Sequence, residues 1–279
     1  MKPHPSNPPR IWWCATGPLA FLPIHAAGIY SHDTRLPGSC VSDFVVSSYT
    51  PTVSALLEKV KMTKNERPLA SSILLISQPN TPGLPPIVGT IRETSAVSKI
   101  MDSDGYKSLC LEGSAANISR VKQEMESHSW VHFACHASQS THNPLRSGFS
   151  LHDGRLELSE IMKQRIPYCE LAFLSACQTS TGDEKLSEEA VHLAAAMLAV
   201  GYQGVVATMW SIRDKYAPEV AEAFYHYLLE KKKDAGHLLG LDSANAAYAL
   251  HHAIQVIRRH VGDREYGLLT WVPYVHFGL

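Results

Sequence analysis

Glu170-Leu-Ala-Phe-Leu-Ser-Ala-Cys-Gln-Thr179 is the stretch that decides the fold. Its apolar run lacks helical spacing, which is typical of a strand buried on both faces, as in a parallel sheet. Turn-forming residues follow Cys177, so the cysteine stands where a central strand meets its loop. In open α/β sheets the ligand crevice lies outside the carboxyl ends of the strands, and a thiol placed there is a candidate nucleophile.

A second stretch of the same kind is Trp130-Val-His-Phe-Ala-Cys-His-Ala137, which also leads into polar residues. Strand alternation places Val131, Phe133 and Cys135 on one face, and His132, Ala134 and His136 on the other. If the two strands are parallel neighbours, about 4.8 Å apart, then His136 and Cys177 end at the same edge of the sheet. The pattern therefore predicts a histidine and a cysteine within reach of each other.

The rest of the chain alternates between predicted strands and helices. Strands are predicted over 11–15, 72–77, 108–112, 204–210 and 271–277, a hairpin over 149–158, and helices over 52–62, 91–101, 117–127, 187–200, 217–232 and 243–260. This alternation predicts right-handed crossovers and an α/β fold with a mainly parallel sheet. We expect one domain over residues 11–279, preceded by a proline-rich lead-in without structure at 1–10.

Three local features predict how these elements begin and pack. Val53, Leu56, Leu57 and Val60 share one face of the first helix, which predicts that this face is buried. Thr90 followed by Glu93 has the spacing of a capping box. The segment 78–88 contains four prolines and one glycine, which predicts a long loop near the edge of the sheet that holds His136.

Composition excludes several classes of protein. The net charge of −1 gives no sign of a nucleic-acid or anionic-membrane partner. We find no apolar run of the roughly 18 residues that a membrane span requires, and no signal-peptide core. The six cysteines contain no CxxC pair, so we expect a cytoplasmic protein with reduced thiols.

Several motifs together resemble one known family. His-Phe-Ala-Cys-His (132–136), Leu-Ser-Ala-Cys-Gln-Thr (174–179) and Gly-Val-Val-Ala-Thr-Met-Trp-Ser-Ile (204–212) look like the CHAT domain of the caspase-like cysteine peptidases, to which separase is related. The similarity runs from Trp12 to the motif at 271–278, nearly the whole chain, and points to a fungal source. It implies a three-layer α/β/α sandwich and an upstream repeat or regulatory region.

The resemblance also implies a catalytic dyad, in which His136 is the general base and acid and Cys177 is the nucleophile. Spacing alone favours a core cysteine and a satisfied core histidine, and the position of both residues at strand ends makes the two interpretations equal. In caspase-like enzymes the oxyanion is bound by backbone N–H groups of the nucleophile and of the residue after the histidine, here Cys177 and Ala137. The family usually has glycine at the position of Ala137, and alanine restricts the backbone angles there.

Two acidic residues are candidates for substrate binding. Asp214 matches the acidic residue of separase's corresponding segment, and separases cut after arginine, so this resemblance implies a basic P1 residue. An ordinary helix cap is an equal alternative for Asp214, because Ala217-Pro218 follows closely. Asp183 is a second candidate for the pocket, and its alternative is a carboxylate at the start of a helix.

Other interpretations remain open from the residues. His132, Cys135 and His136 are close in sequence, but alternation sends Cys135 to the other face, so we expect no metal and no cofactor. The leading hypothesis is an endopeptidase that acts on a protein substrate. The rival is a catalytically silent CHAT module used for binding or assembly, and a thiol-dependent peptide ligase is a third alternative.

Overall fold

The computed structural model describes residues 8–30, 38–63, 72–138, 140, 143–164, 166–167, 169–178, 189–234 and 243–279. The strands are β1 (Arg10–Trp13), β2 (Val46–Tyr49), β3 (Ser72–Ser77), β4 (Lys107–Glu112), β5 (Trp130–Ser138), β6 (Gly148–Leu151), β7 (Gly154–Glu157), β8 (Leu171–Gln178), β9 (Gly204–Thr208) and β10 (Tyr274–Gly278). The helices are α1 (Val53–Thr63), α2 (Gly89–Ser103), α3 (Ile118–Met125), α4 (Leu158–Ile161), α5 (Glu189–Val200), α6 (Ala217–Asp234), α7 (Ala246–Val261) and α8 (Glu265–Trp271).

One sheet joins eight of these strands in the order β1-β2-β10-β9-β8-β5-β3-β4, and the hairpin of β6 and β7 pairs with the end of β5. Five neighbouring strands, β9, β8, β5, β3 and β4, are mutually parallel. β10 is antiparallel to β9, and β2 and β1 follow the direction of β10. The predicted mixed α/β fold with a mostly parallel central sheet is therefore confirmed.

Helices cover both faces of the sheet and form two separate hydrophobic cores. On one face α2, α6, α7 and α8 contribute side chains such as Val97, Phe224, Leu250 and Trp271. On the other face α3, α4, α5 and the β6–β7 hairpin contribute the second core, which includes Phe149. Apolar residues that face both ways make the central strands continuous hydrophobic runs, and the result is the predicted three-layer sandwich.

The predicted orientation of α1 is wrong. Val53, Leu57 and Val60 are 58%, 53% and 42% exposed, so the apolar stripe of the helix points outward. Lys59 is buried instead, and its Nζ donates hydrogen bonds to the carbonyl of Leu198 in the last turn of α5 and to that of Tyr202 after the helix. The carbonyl of Leu198 also accepts the N–H of Gly201, so the buried ammonium is a second donor to Leu198 and a donor to Tyr202.

The predicted capping box at the start of α2 is also absent. Glu93 does not return to the helix start, because its carboxylate accepts a hydrogen bond from His132 in β5. The Thr90 hydroxyl donates to the carbonyl of Ile87. The first N–H of the helix, at Gly89, is satisfied by Asp214 from the loop after β9.

The carboxyl-terminal part contains one helix that the sequence pattern did not predict, α8. The last strand begins at Tyr274 rather than at residue 271. Asp153-Gly154 forms the predicted turn of the β6–β7 hairpin, and Gly154 has a φ of 150°. Among the described helices none combines the length and the apolarity that a membrane crossing requires.

Candidate active site

The two stretches that the sequence singled out are neighbouring parallel strands. β5 and β8 pair over eight residues, from Trp130 opposite Leu171 to Ala137 opposite Gln178. His136 is the register partner of Cys177, so the two residues lie side by side at the carboxyl edge of the sheet. The separation of neighbouring strands, about 4.8 Å, places both backbones within reach of one bound group.

The side chain of His136 is buried on the face that α2 and α6 cover. Its Nε2 lies 2.8 Å from the carbonyl oxygen of Pro85. A carbonyl only accepts hydrogen bonds, so the neutral imidazole carries its proton on Nε2, and Nδ1 holds the free lone pair. Nδ1 is buried and has no hydrogen-bond partner among the described residues. The imidazole is therefore oriented through one nitrogen, and the other is a free proton acceptor.

Pro85 was not predicted as part of the site, because a backbone carbonyl has no signature in the residue type. The usable signal was the proline-rich loop at 78–88, which the sequence placed near this edge. The loop is tied down on several sides. The N–H of Ile87 donates to the carbonyl of Pro79, and Gln78 Nε2 donates to the carbonyl of Gly113 at 2.7 Å. This loop holds the carbonyl of Pro85 against the imidazole.

Asp214 lies at the same edge, in the loop between β9 and α6. Its Oδ2 accepts a hydrogen bond from the N–H of Gly89 at 2.8 Å. It therefore caps α2, whereas the sequence alternative was a cap for the helix at Ala217. Gly89 follows Pro85 by four residues, so Asp214 contacts the segment that orients His136. Its role in binding a basic P1 residue stays a prediction.

The backbone of Ala137 faces the strand that carries Cys177. The N–H of Gln78 donates to the carbonyl of Ala134, so the backbone groups of Ala134 point toward β3. Backbone groups alternate sides along a strand, and those of Ala137 therefore point toward β8. In the paired ladder an N–H with this direction donates to a carbonyl of β8, so the geometry adds no support for an oxyanion donor at Ala137, and that role stays a prediction. Cys177 is located by its backbone register, and Asp183 lies outside the described residues.

His132, on the same strand and face as His136, has a different environment. Its Nε2 lies 3.0 Å from Oε1 of Glu93, and its Nδ1 lies 3.1 Å from the hydroxyl of Tyr225. The ring stacks on Phe173 with centroids 4.6 Å apart. Burial raises the pKa of Tyr225 well above its usual range, so the tyrosine stays protonated. Its hydroxyl donates a hydrogen bond to Nδ1 of His132.

These contacts assign His132 to the core. Cys135 is buried on the opposite face, as strand alternation predicted. Within the described ranges, no group of three or more His, Cys, Asp and Glu side chains is arranged to hold a metal ion. Of the two histidines in the motif at 132–136, only His136 has a ring nitrogen without a hydrogen-bond partner among the described residues.

Comparisons with known proteins identify the family. The model of the CHAT domain matches residues 1–279, and the chain belongs to this family. A comparison with curated protein sequences found no match. The expected boundary at residue 11 and the expected fungal source stay predictions.

Solved structures with this fold include cysteine proteinases. The Arg-specific cysteine proteinase gingipain R matches with a TM-score of 0.57 and 12% identity, over 84% of this chain and 54% of that one. A complex of the Porphyromonas gingivalis RgpB pro- and mature domains matches with a TM-score of 0.56 and 11% identity, over 84% and 55%. The Saccharomyces cerevisiae separase–securin complex matches with a TM-score of 0.54 and 16% identity, over 88% and 15%.

These similarities define the fold as caspase-like. The chain spans about half of the gingipain chain and 15% of the separase chain. At these identities the similarity shows the fold alone.

Proposed function

We propose that this protein is a cysteine endopeptidase that cleaves a protein substrate with His136 and Cys177. The observation that carries the proposal is the pairing of β5 with β8, in which the two residues are direct register partners at the carboxyl edge. The free Nδ1 of His136 supports it, because a general base needs an available lone pair beside the nucleophile. Membership of the CHAT family and the cysteine-proteinase fold neighbours support it further.

The reaction divides into acylation and deacylation. His136 takes the proton of the Cys177 thiol, and the thiolate attacks the carbonyl carbon of the scissile amide. The backbone N–H groups of Cys177 and Ala137 stabilise the resulting oxyanion. The imidazolium gives its proton to the amide nitrogen, the C–N bond breaks and a thioester remains. Water, deprotonated by the imidazole, hydrolyses the thioester, and the returning proton restores the thiol.

The preferred P1 residue is the finer part of this proposal. Asp214 and Asp183 are the acidic candidates for a pocket that binds arginine or lysine. For Asp214, a carboxylate that already accepts a hydrogen bond from Gly89 has part of its capacity engaged. The P1 preference therefore needs its own measurement.

The first test is cleavage of a fluorogenic peptide library that varies at P1, comparing wild type with Cys177→Ala and His136→Gln. We expect activity in the wild type and a loss of about 10³-fold or more in each variant, since the dyad acts as a unit. Cys169→Ala is a matched control, because Cys169 is buried in the core beside β8 and has no place in the dyad. Equal activity of Cys177→Ala and wild type would contradict the proposal.

A catalytically silent CHAT module for binding or assembly is the second candidate, and Ala137 in place of the family's usual glycine favours it. Irreversible labelling of Cys177 by a peptidyl electrophile separates the two, with each cysteine read by peptide mass. Labelling of folded protein above a urea-unfolded control supports the peptidase. No labelling above that control supports the silent module.

The setting of the reaction is also a proposal. We place the protein in the cytoplasm, where thiols stay reduced, with a protein substrate and no nucleic-acid or membrane partner. An upstream repeat or regulatory region would act as the activating partner. Peptide ligation, the third alternative, gives products of different mass in the same cleavage assay.

A further inference from the structure

We infer that Asp214 is a positioning residue, which holds the start of α2 so that the carbonyl of Pro85 orients His136. This inference rests on the proposed function, and it assigns Asp214 a role that does not require contact with the substrate. It is built from three consecutive contacts, which lead from the β9–α6 loop through α2 to the imidazole.

The first contact joins Asp214 to Gly89. The carboxylate accepts the first N–H of α2, and the fit is tight. A Cβ added at Gly89 would lie 2.4 Å from Oδ1 of Asp214 and 2.5 Å from its backbone oxygen. Only glycine lets the two segments approach this closely, so position 89 and Asp214 determine each other's location.

The second step runs from the start of α2 back along the loop. The hydroxyl of Thr90 donates to the carbonyl of Ile87, and the hydroxyl of Ser77 donates to that of Thr90. The N–H of Ile87 donates to the carbonyl of Pro79. Ile87 is therefore joined to Pro79 and to Thr90, and we infer that a displacement of Gly89 reaches residues 85–88 through Thr90.

The third contact joins Pro85 to His136. The hydrogen bond from Nε2–H to this carbonyl selects the tautomer that leaves Nδ1 free. If the carbonyl moves away, both neutral tautomers become accessible and the lone pair no longer has a fixed direction. Catalysis loses orientation in that case, while the ability to bind substrate remains.

The alignment needs only a hydrogen-bond acceptor at position 214, whereas a pocket for a basic P1 residue needs a charge. Asp214→Asn retains an acceptor oxygen without the charge, and Asp214→Ala retains neither. Gly89→Ala retains the carboxylate but displaces it. These three variants separate alignment from charge recognition.

The experiment measures kcat and KM on the best library peptide, and the His136 tautomer by NMR of ¹⁵N-labelled imidazoles. His136→Gln identifies the resonances. We expect the Nε2–H tautomer in wild type and in Asp214→Asn, with kcat within about threefold. In Asp214→Ala and Gly89→Ala we expect mixed tautomers, kcat lower by about 10- to 100-fold and an almost unchanged KM.

Asp153→Ala is the matched control. Asp153 also caps a helix, since its Oδ1 accepts the N–H of Ile118 at the start of α3 at 2.9 Å. We expect this variant to keep the wild-type tautomer and kcat, so a general effect of losing a helix cap is excluded.

Two results would overturn the inference. One is a wild-type tautomer in both Asp214→Ala and Gly89→Ala. The other is an Asp214→Asn that is as impaired as Asp214→Ala, with KM raised for basic P1 peptides alone, which would assign the charge to the S1 pocket. If wild type cleaves no peptide, labelling of Cys177 decides whether the proposed function fails, and the NMR tautomer still decides the alignment by itself.

Discussion

Two histidines four residues apart on β5 show how the surroundings of a single side chain decide its role. His132 uses both ring nitrogens, with Glu93 and Tyr225, and His136 uses one. The sequence placed both on the same face, because strand alternation is a local property. Their partners come from α2, α6 and the 78–88 loop, which are distant in sequence, and no pattern within β5 could predict them.

The buried contact between Glu93 and His132 predicts a large effect of a single substitution. Glu93→Ala removes the hydrogen-bond acceptor that Nε2 of His132 has among the described residues and leaves a buried N–H unsatisfied beside a cavity. We expect the free energy of unfolding to fall by about 3 kcal/mol. Urea denaturation followed by circular dichroism measures it.

Glu160→Ala is the control for that measurement. Glu160 pairs with Lys122 at 3.1 Å, but the two side chains are 42% and 34% exposed. Water screens such a pair, so its loss costs less than about 1 kcal/mol. Equal losses for Glu93→Ala and Glu160→Ala would show that the buried contact contributes nothing of its own.

Among the elements, α1 departs most from its sequence pattern. Helical spacing identified the helix itself, and Thr52 caps it through its hydroxyl, which accepts the N–H of Ala55. The pattern failed to predict the buried face, because Lys59 is buried where its ammonium donates to two carbonyls at the end of α5. Sequence periodicity shows which residues share one face of a helix. Which face is buried depends also on the hydrogen-bonding groups of the element that the helix packs against.

This reversal predicts the stability of two neighbouring substitutions. Lys59→Met removes the ammonium that donates to the buried carbonyl of Tyr202 and one of the two donors to the carbonyl of Leu198, so we expect a loss of about 1–3 kcal/mol. Leu57→Gln changes an exposed side chain and should alter the free energy of unfolding by less than about 0.5 kcal/mol. Urea denaturation of both variants measures the difference. A larger loss for Leu57→Gln would mean that the apolar stripe is covered in solution.

Across the whole molecule, two buried histidines tie the outer strands of the sheet to the rest. Nε2–H of His25 donates to the carbonyl of Val272 at 2.9 Å, and its Nδ1 accepts from the hydroxyl of Tyr49 at 2.8 Å. Burial lowers the pKa of His25 to about 4. Burial, and secondarily the charge of Arg10, lowers the pKa of His276 well below its usual range.

These shifts predict an acid-sensitive fold. Each histidine titrates near 6.5 in the unfolded chain and at lower pH in the folded protein, so the unfolded state binds more protons below pH 6.5. The part of the free energy of unfolding that depends on these histidines is fully present above pH 6.5. It falls as the pH drops toward 4, by about 1.4 kcal/mol per pH unit for each histidine. Urea denaturation at several pH values between 7 and 5 measures the slope of the free energy of unfolding against pH.

His25→Gln isolates one of these contributions. Glutamine offers a donor and an acceptor but does not titrate, so we expect a slope that is smaller by about 1.4 kcal/mol per pH unit. An unchanged slope would show that His25 does not control acid stability.

Sequence patterns predicted the parallel part of the sheet well, because buried strands and crossover helices follow each other along the chain. They did not predict the position of β10, which lies between β9 and β2 and meets β2 only at Phe277 opposite Tyr49. That pairing joins residues more than two hundred positions apart, and the apolar sequence of a strand does not indicate which distant strand it pairs with. The register of His136 with Cys177 was predictable because each residue lies near the end of an obvious strand.

The interior position of β10 has a consequence for how the protein forms on the ribosome. β1 and β2 are synthesised early, but the strand that connects them to the sheet is the last of the described strands along the chain. Until Tyr274–Gly278 leaves the exit tunnel, the two early strands have an open edge that invites wrong pairing with other chains. Nascent chains that stall before residue 274 should therefore be frequent chaperone clients, and folding should speed up once the final strand can close the gap.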